Sequence, residues 1–327
     1  MKQFWTKNKK WIVYVKALLA LLTIGFIIYK LFGAYKIDEK FSSFSFTFSL
    51  ANIAILLAVI LLMVVNWGFE TAKWHLLVNR YEKLSYTNSL KAIFSGATLS
   101  IITPNQIGDF AGRVIHLQTL NKIKGSLVTV IGHTAQVIIT GIFGMYALLA
   151  FAAKLDYNIY LKWKIIAVII FVIHVIVIWL FIHIHLLYKC LNLNTWFKKH
   201  EHYIQVFKAY NKSQLAKLLL FSCIRYIAFL SQYVLLLYFF GVDIGVVNSI
   251  IGVISIFCIQ SIVPSFILLD IGLRGASALF IFGELSNYDK GIELGVLLSA
   301  YSLWIINMMI PALLGLYFIL KQRFTNL

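Results

Sequence analysis

Residues 101–113 read Ile101-Ile102-Thr103-Pro104-Asn105-Gln106-Ile107-Gly108-Asp109-Phe110-Ala111-Gly112-Arg113: an apolar stretch broken at Pro104, then an acid and a base one helical turn apart. A second stretch repeats the plan, with Ile262-Val263-Pro264-Ser265-Phe266 running on to Asp270, Gly272 and Arg274. Everything around both is greasy, and charge inside a membrane is expensive enough to mark function by default. Interrupted hydrophobic segments at corresponding places in two halves also point to a transporter's binding site.

Composition makes the apolar setting a membrane. The 327 residues are 61% hydrophobic and 13% charged, with a mean hydropathy of +0.86. A soluble domain sits nearer about 45–50% apolar and about a quarter charged. Six runs reach the ~20 apolar residues that a bilayer requires: Trp11–Phe32, Leu50–Phe69, Ser126–Ala153, Trp163–Leu187, Leu218–Phe240 and Ile292–Leu320. Two more, Ser89–Ile102 and Asn248–Ile262, reach only ~21–23 Å as helices, short of a ~30 Å hydrocarbon core. Each is followed by its proline motif and a second limb, Phe110–Leu120 and Ile271–Phe282. Two half-helices joined at a break predict a re-entrant hairpin, which is tolerated where protein or a water-filled cavity surrounds the irregular backbone. The fold class expected is therefore an all-α polytopic membrane protein, a single integral membrane domain over 1–327. It has six full spans, two re-entrant helical hairpins, and both termini in the cytoplasm.

The net charge of +17 does not indicate nucleic acid, because the basic residues lie between apolar spans, where they set topology. With both short segments as hairpins, about 18 Lys and Arg fall on the cytoplasmic side, about 7 on the other, and Lys16, Arg113, Arg225 and Arg274 lie at membrane depth. A full crossing at either hairpin would turn a basic segment outward. The first hairpin (89–124) then enters from the cytoplasmic face and the second (248–282) from the outer face. Segments 50–153 and 218–320 become one span–hairpin–span unit in two opposite orientations, an inverted repeat with its site at the repeat interface. Between them, the cytoplasmic segment 188–217 mixes aromatics (Trp196, Phe197, Tyr203, Phe207) with lysines, as an interfacial helix on an anionic leaflet does. The run from Trp11 is too long for a signal-peptide core and reads as a retained span. Cys190, Cys223 and Cys258 form no CxxC pair and imply no disulfide framework.

Asp109–Arg113 and Asp270–Arg274 are each four apart, which places both side chains on one helix face. Such pairs can simply neutralise themselves. Alternatively the arginines present a fork to phosphate while the aspartates hold them ready, with N-terminal N–H groups of the broken helices also favouring anions. Gly108 and Gly272 suit a turn or close backbone approach at the breaks. Arg225, with no acid within four residues, either snorkels to the cytoplasmic edge or lines the same cavity. Glu70 and Lys73 close a span at the interface, where solvation is the default. His183-Ile184-His185 and His200-Glu201-His202 do not have helical metal-ligand spacing, so neither metal nor cofactor is expected. GxSxG, GxxxxGK[ST] and HExxH are absent, which argues against catalysis.

The Thr103-Pro104…Gly108-Asp109…Arg113 motif, followed by Pro264…Gly272-Leu273-Arg274, resembles the flippase-like family of the transmembrane region of bacterial lysylphosphatidylglycerol synthases. The likeness covers nearly the whole chain. That family shows TP-x-x-x-G-[acid] in its first half, matched here with Asp109 for the commoner Glu, and a Pro followed by G-x-R-[acid] in its second. Gly275 stands where the second acid is expected, and Asp270 is placed to supply a carboxylate from the other side of Arg274. Lipid-aminoacylating members add a soluble synthase domain after the membrane region, whereas this chain ends at Leu327, so the resemblance implies the translocation half alone. The function expected is a flippase for a lipid or lipid-linked anion in the inner (cytoplasmic) membrane, with anionic or phosphate-bearing membrane lipids as partners, and with alternative roles in two other classes. These are a membrane-embedded transferase acting on a polyprenyl-phosphate or phospholipid, and a non-transporting envelope scaffold subunit, with envelope-biosynthesis enzymes or a homo-oligomer as further partners. Arg113, Arg274 and Arg225 would bind the head group beside Asp109 and Asp270.

Overall fold

The structure, a computed structural model, describes residues 49–101, 103, 106–155, 160–263, 267–286 and 291–325. The expected span Trp11–Phe32 and the break residues Pro104 and Pro264 lie outside the described residues. Every regular element among the described residues is helical. In order these are α1 (Leu50–Val78), α2 (Tyr86–Ile101), α3 (Gly108–Val114), α4 (Lys122–Leu155) and α5 (Tyr160–Ile182). The short helices α6 (His185–Leu191), α7 (Thr195–Lys199) and α8 (Glu201–Ile204) and a 3₁₀ turn, Gln205–Lys208, follow. Then come α9 (Lys212–Phe239), α10 (Val246–Ile262), α11 (Ile267–Leu285), α12 (Glu293–Trp304), a π turn (Ile305–Met309) and α13 (Ile310–Thr325). Five helical segments among the described residues are long and apolar enough to cross a membrane: Leu50–Val78, Lys122–Leu155, Lys162–Ile182, Lys212–Phe239 and Glu293–Lys321. They coincide with five of the six expected spans, and the protein is a multi-pass helical membrane protein. On α5, Ile165, Val168, Ile169, Phe171, Val172 and Trp179 are all exposed, the apolar surface of a helix that faces lipid.

Between α1 and α4 the chain goes out and comes back. Glu82, just after α1, accepts the backbone N–H groups of Gln118, Thr119 and Leu120 at 2.8, 2.9 and 2.7 Å, so residues 83–117 end beside their start. The two limbs, α2 and α3, are pressed together through glycine: a Cβ on Gly112 would overlap the Ser95 carbonyl, and one on Gly108 the Leu99 carbonyl. Thr103 ties the irregular tip, donating to Leu99 O at 2.9 Å while its hydroxyl accepts the Gly108 N–H at 2.7 Å. Gln106, with φ +56°, takes the left-handed conformation at the break itself.

The second motif pairs its limbs in the same antiparallel sense, Gly252 lying against Phe282 and the Gln260 amide donating to Ser277 Oγ at 3.4 Å. Its second limb is longer than the sequence suggested. α11 runs 19 residues, about 28 Å, beginning at Ile267, before the expected start, and ending at Leu285, past the expected end. Each first limb then lies on the last span of the other half. Thr98 of α2 donates to Ala312 O of α13 at 2.7 Å, beside Gly315, and Cys258 of α10 fills the space over Gly144 of α4.

Pro311 explains the π turn: it lacks an N–H and would clash with the carbonyl of Asn307, and the widened turn Ile305–Met309 relieves both. Asn307 is thereby turned inward and is buried. The segment 188–217 is not one interfacial helix. It folds as three short helices and a 3₁₀ turn, because Ile204, Val206, Phe207 and Tyr210 pack into a core with Trp74 and Leu77, and Tyr210 donates to Leu77 O at 2.9 Å. Trp196, by contrast, stays exposed.

Two outcomes test this packing. Gly112→Ala is expected to lower stability by roughly 1–3 kcal/mol through overpacking, whereas Gly141→Ala, with nothing within 4 Å of its Cβ, should not, as read by thermal unfolding in detergent. Burial works to raise the Glu82 pKa, but its backbone donors outweigh it and hold the carboxyl below the ordinary range. The advantage of wild type over Glu82→Gln should therefore be full above about pH 5 and vanish as the pH falls through the depressed folded value, below the usual ~4.3. A melting-temperature difference that stays constant through an acid titration would contradict it.

Candidate functional site

Asp109 and Arg113 project from one face of α3, as their spacing requires, and the Arg113 Nε donates to Asp109 Oδ1 at 2.9 Å. What the spacing did not reveal is the third partner. Arg113 Nη1 reaches Glu70 Oε1 on α1 at 2.8 Å. The other Glu70 oxygen accepts from Arg225 Nη1 on α9 and from Lys73 Nζ, the latter at 3.1 Å. Arg225 is further held by Asn66 Oδ1 and Gln136 Oε1, both at 3.0 Å, and Asn66 donates to Asn307 Oδ1 at 3.2 Å. Asp109 Oδ2 also lies 2.7 Å from His133 Nε2 on α4.

Glu70 is 4% exposed, Lys73 1%, Asp109 6% and Arg113 6%. The interface reading of Glu70 and Lys73 is therefore corrected: the last turns of α1 are covered by the hairpin, by α9 and by the 3₁₀ segment, and both side chains are interior. Arg225 does not reach for the cytoplasmic edge, since Glu70, Asn66 and Gln136 hold it inside. The knot contains three basic side chains (Lys73, Arg113, Arg225) and two carboxylates (Glu70, Asp109), a formal charge of +3 − 2 = +1 with all three protonated and His133 neutral. One side is open: the His133 side chain is 40% exposed, so Asp109 and Arg113 communicate with the surface through it.

The second pair is simpler. Arg274 Nε donates to Asp270 Oδ2 at 2.9 Å and Nη1 reaches Gln260 Oε1 at 3.4 Å. Asp270 falls in the first turn of α11, where the helix dipole favours an acid. Arg274 and Asp270 neutralise one another, and their network shares no member with the Glu70 knot among the described residues. Gly272 makes no close approach, for a Cβ there would meet nothing within 4 Å. Gly275 makes it instead: the Tyr301 hydroxyl occupies the space a side chain would need. The anion-binding N–H expected at the first break is also spoken for, since Gly108 donates to Thr103.

The HxH histidines serve local packing. His183 and His200 each contact the backbone carbonyl of the tryptophan four residues earlier at 2.9 Å and lie against its ring. Among the described residues no three His, Cys, Asp or Glu side chains converge as a metal site requires. His133, Gln136, Asn66 and Asn307 were missed in the sequence because their partners are 24 to 241 residues away. A polar residue on an otherwise apolar span was the signal available.

A model of the family described as lysylphosphatidylglycerol synthase TM region matches residues 13–315. No curated protein and no solved structure matches.

Removing Glu70 should expose the imbalance. Glu70→Gln strands three cations against one carboxylate, and breaking a buried pair in this way costs ~3–5 kcal/mol. Adding Arg225→Gln should restore part of the loss. Additive losses in a double-mutant cycle, read by thermal unfolding in detergent, would show that the two residues do not interact.

Proposed function

We propose that this chain, which belongs to the family of the lysylphosphatidylglycerol synthase transmembrane region, is a flippase that moves a lipid or lipid-linked anion across the inner (cytoplasmic) membrane. The observation that carries the reading is the shared carboxylate: Glu70 serves Arg113, Arg225 and Lys73 at once and leaves one buried positive charge in excess. Uncompensated charge at membrane depth is costly, and a phosphate head group supplies the missing anion. Arginine forks suit it, since each presents several donors in a fixed plane. Asp109, braced by His133, orients Arg113 toward the ligand, and Arg274 with Asp270 forms the weaker counterpart in the other half.

The same reading takes 89–124 and 248–282 as re-entrant hairpins entering from opposite faces, inside inverted repeats 50–153 and 218–320 with cytoplasmic termini. The exchange of partners supports it, since α2 lies on α13 as α10 lies on α4. Rocking one half against the other slides these two contacts and opens the site alternately to each side.

Head-group translocation in liposomes tests the assignment. Arg113→Gln should slow transport by an order of magnitude or more, the loss of an interaction worth ~1.4 kcal/mol or above. Its fold should survive, because Glu70 keeps Lys73 and Arg225 while Asp109 keeps His133. Arg274→Gln should have the smaller effect. Unchanged rates in folded Arg113→Gln protein would sink the site, and a covalently altered lipid would favour a transferase.

A further inference from the structure

A separate cavity of about 350 Å³ lies where four stretches of the chain meet: the turn after α1, the first turn of α4, α8 and the 3₁₀ turn. Tyr81, Lys124, His202, Gln205 and Lys208 line it, and no acid does. We propose that this cavity is a second anion site, which takes a phosphate-bearing group between Lys124 and Lys208 with His202 and Gln205 as further polar contacts.

Lys124 carries the argument. It is half-buried in the first turn of α4, where the helix dipole disfavours a cation rather than stabilising it. Among the described residues it makes no hydrogen bond and no ion pair. Lys208 enters from the opposite wall, and its ammonium lies 4.6 Å from the centre of the Tyr188 ring. That cation–π contact fixes its direction without neutralising it. The acid beside it, Glu201, accepts the Tyr188 hydroxyl and acts on Lys208 only at longer range. Arg80 adds a third cation, whose charge reaches the Tyr81 hydroxyl. Setting Glu82 and Glu201 against Arg80, Lys124 and Lys208 still leaves a formal +3 − 2 = +1. Of those two acids, Glu82 is committed to the backbone N–H groups of residues 118–120.

The walls are firm enough to hold a small group. Tyr81 stands edge-on against Tyr210, ring centroids 6.3 Å apart, and Val206 packs into the core with Trp74 and Leu77. The volume falls at the low end of the roughly 300–1,000 Å³ of small-ligand pockets, which suits a head group rather than a whole lipid. An anion held there would tie segment 188–217 to the ends of α1 and α4. The site shares no residue with the Glu70 knot. Either an anionic lipid or free phosphate supplies its chemistry.

The full chain in phosphatidylcholine nanodiscs distinguishes them, with lysine acylation read by mass spectrometry at Lys124 and Lys208. The exposed Lys189 and Lys199 report plain surface attraction. Near saturation, reactivity at Lys124 and Lys208 should fall by about an order of magnitude while Lys189 and Lys199 change little. Protection by added phosphatidylglycerol alone assigns the site to a lipid head group, and protection by inorganic phosphate, with or without the lipid, assigns it to free anion. Protection by neither, or equal protection of all four lysines, overturns the proposal. Lys124→Gln should abolish protection at Lys208 at the same ligand concentration, and Lys124→Arg should keep it. Protection of Lys208 that survives in Lys124→Gln would also overturn the proposal. Arg113→Gln should leave both lysines protected, and loss in that variant would show that the cavity is not a separate site.

Discussion

A carboxylate that three cations must share fixes the centre of this molecule. Glu70 takes Arg113 from the first hairpin, Arg225 from α9 and Lys73 from its own helix. Removing that carboxylate would strand cations in a region where water does not compensate them. That requirement sets the depth of α3 against α1 and the rotation of α9 about its axis. Buried ion pairs contribute little net stability over apolar packing, but they penalise every wrong register steeply. In a bundle whose outer faces are uniformly apolar, this is the constraint that distinguishes one packing from its neighbours.

The hairpin can bring Arg113 to Glu70 only because its limbs come unusually close. Lipid offers no hydrophobic drive for helix association, so close backbone contact between small residues carries it. Gly96, Gly108 and Gly112 line the α2–α3 seam, and a side chain on any of them would collide with the facing limb. Thr103 completes the turn by linking Leu99 to Gly108. The Thr-Pro…Gly-Asp motif is therefore a packing device as well as a carrier of charge: threonine and glycine build the tip that holds Asp109 in place.

Five of the expected spans and the Asp–Arg spacing were legible in the sequence because each depends on neighbours within one helix. The Glu70 knot was not. Glu70 and Lys73 occur at the polar end of an apolar run, where local pattern favours solvation, and the elements that cover them arrive from residues 113 and 225. Asn66 and Asn307 are 241 residues apart and meet only after Pro311 widens the helix. The breaks within 188–217 were hidden for the same reason: its aromatics match one continuous face, and only the fold shows Phe207 and Tyr210 covering the end of α1.

The two halves share a plan but not an electrostatic state, and on the proposed function this difference divides the labour between them. In the second half Arg274 and Asp270 form a neutral pair with a side-chain amide as the only further polar contact described, and Tyr301 fills the space at Gly275 where another acid would stand. A neutral pair that moves carries its counter-charge with it, so displacing α11 requires no new compensation. The first half has no such freedom, because Arg113 shares its carboxylate with residues on two other helices. The first hairpin, bound to α1 and α9 through Glu70, is on that reading the element that holds the ligand, while α10 and α11 form the pair that can shift around it. On the proposed function such an arrangement needs only one charged centre, and the simpler Asp270–Arg274 pair is what allows its helices to move.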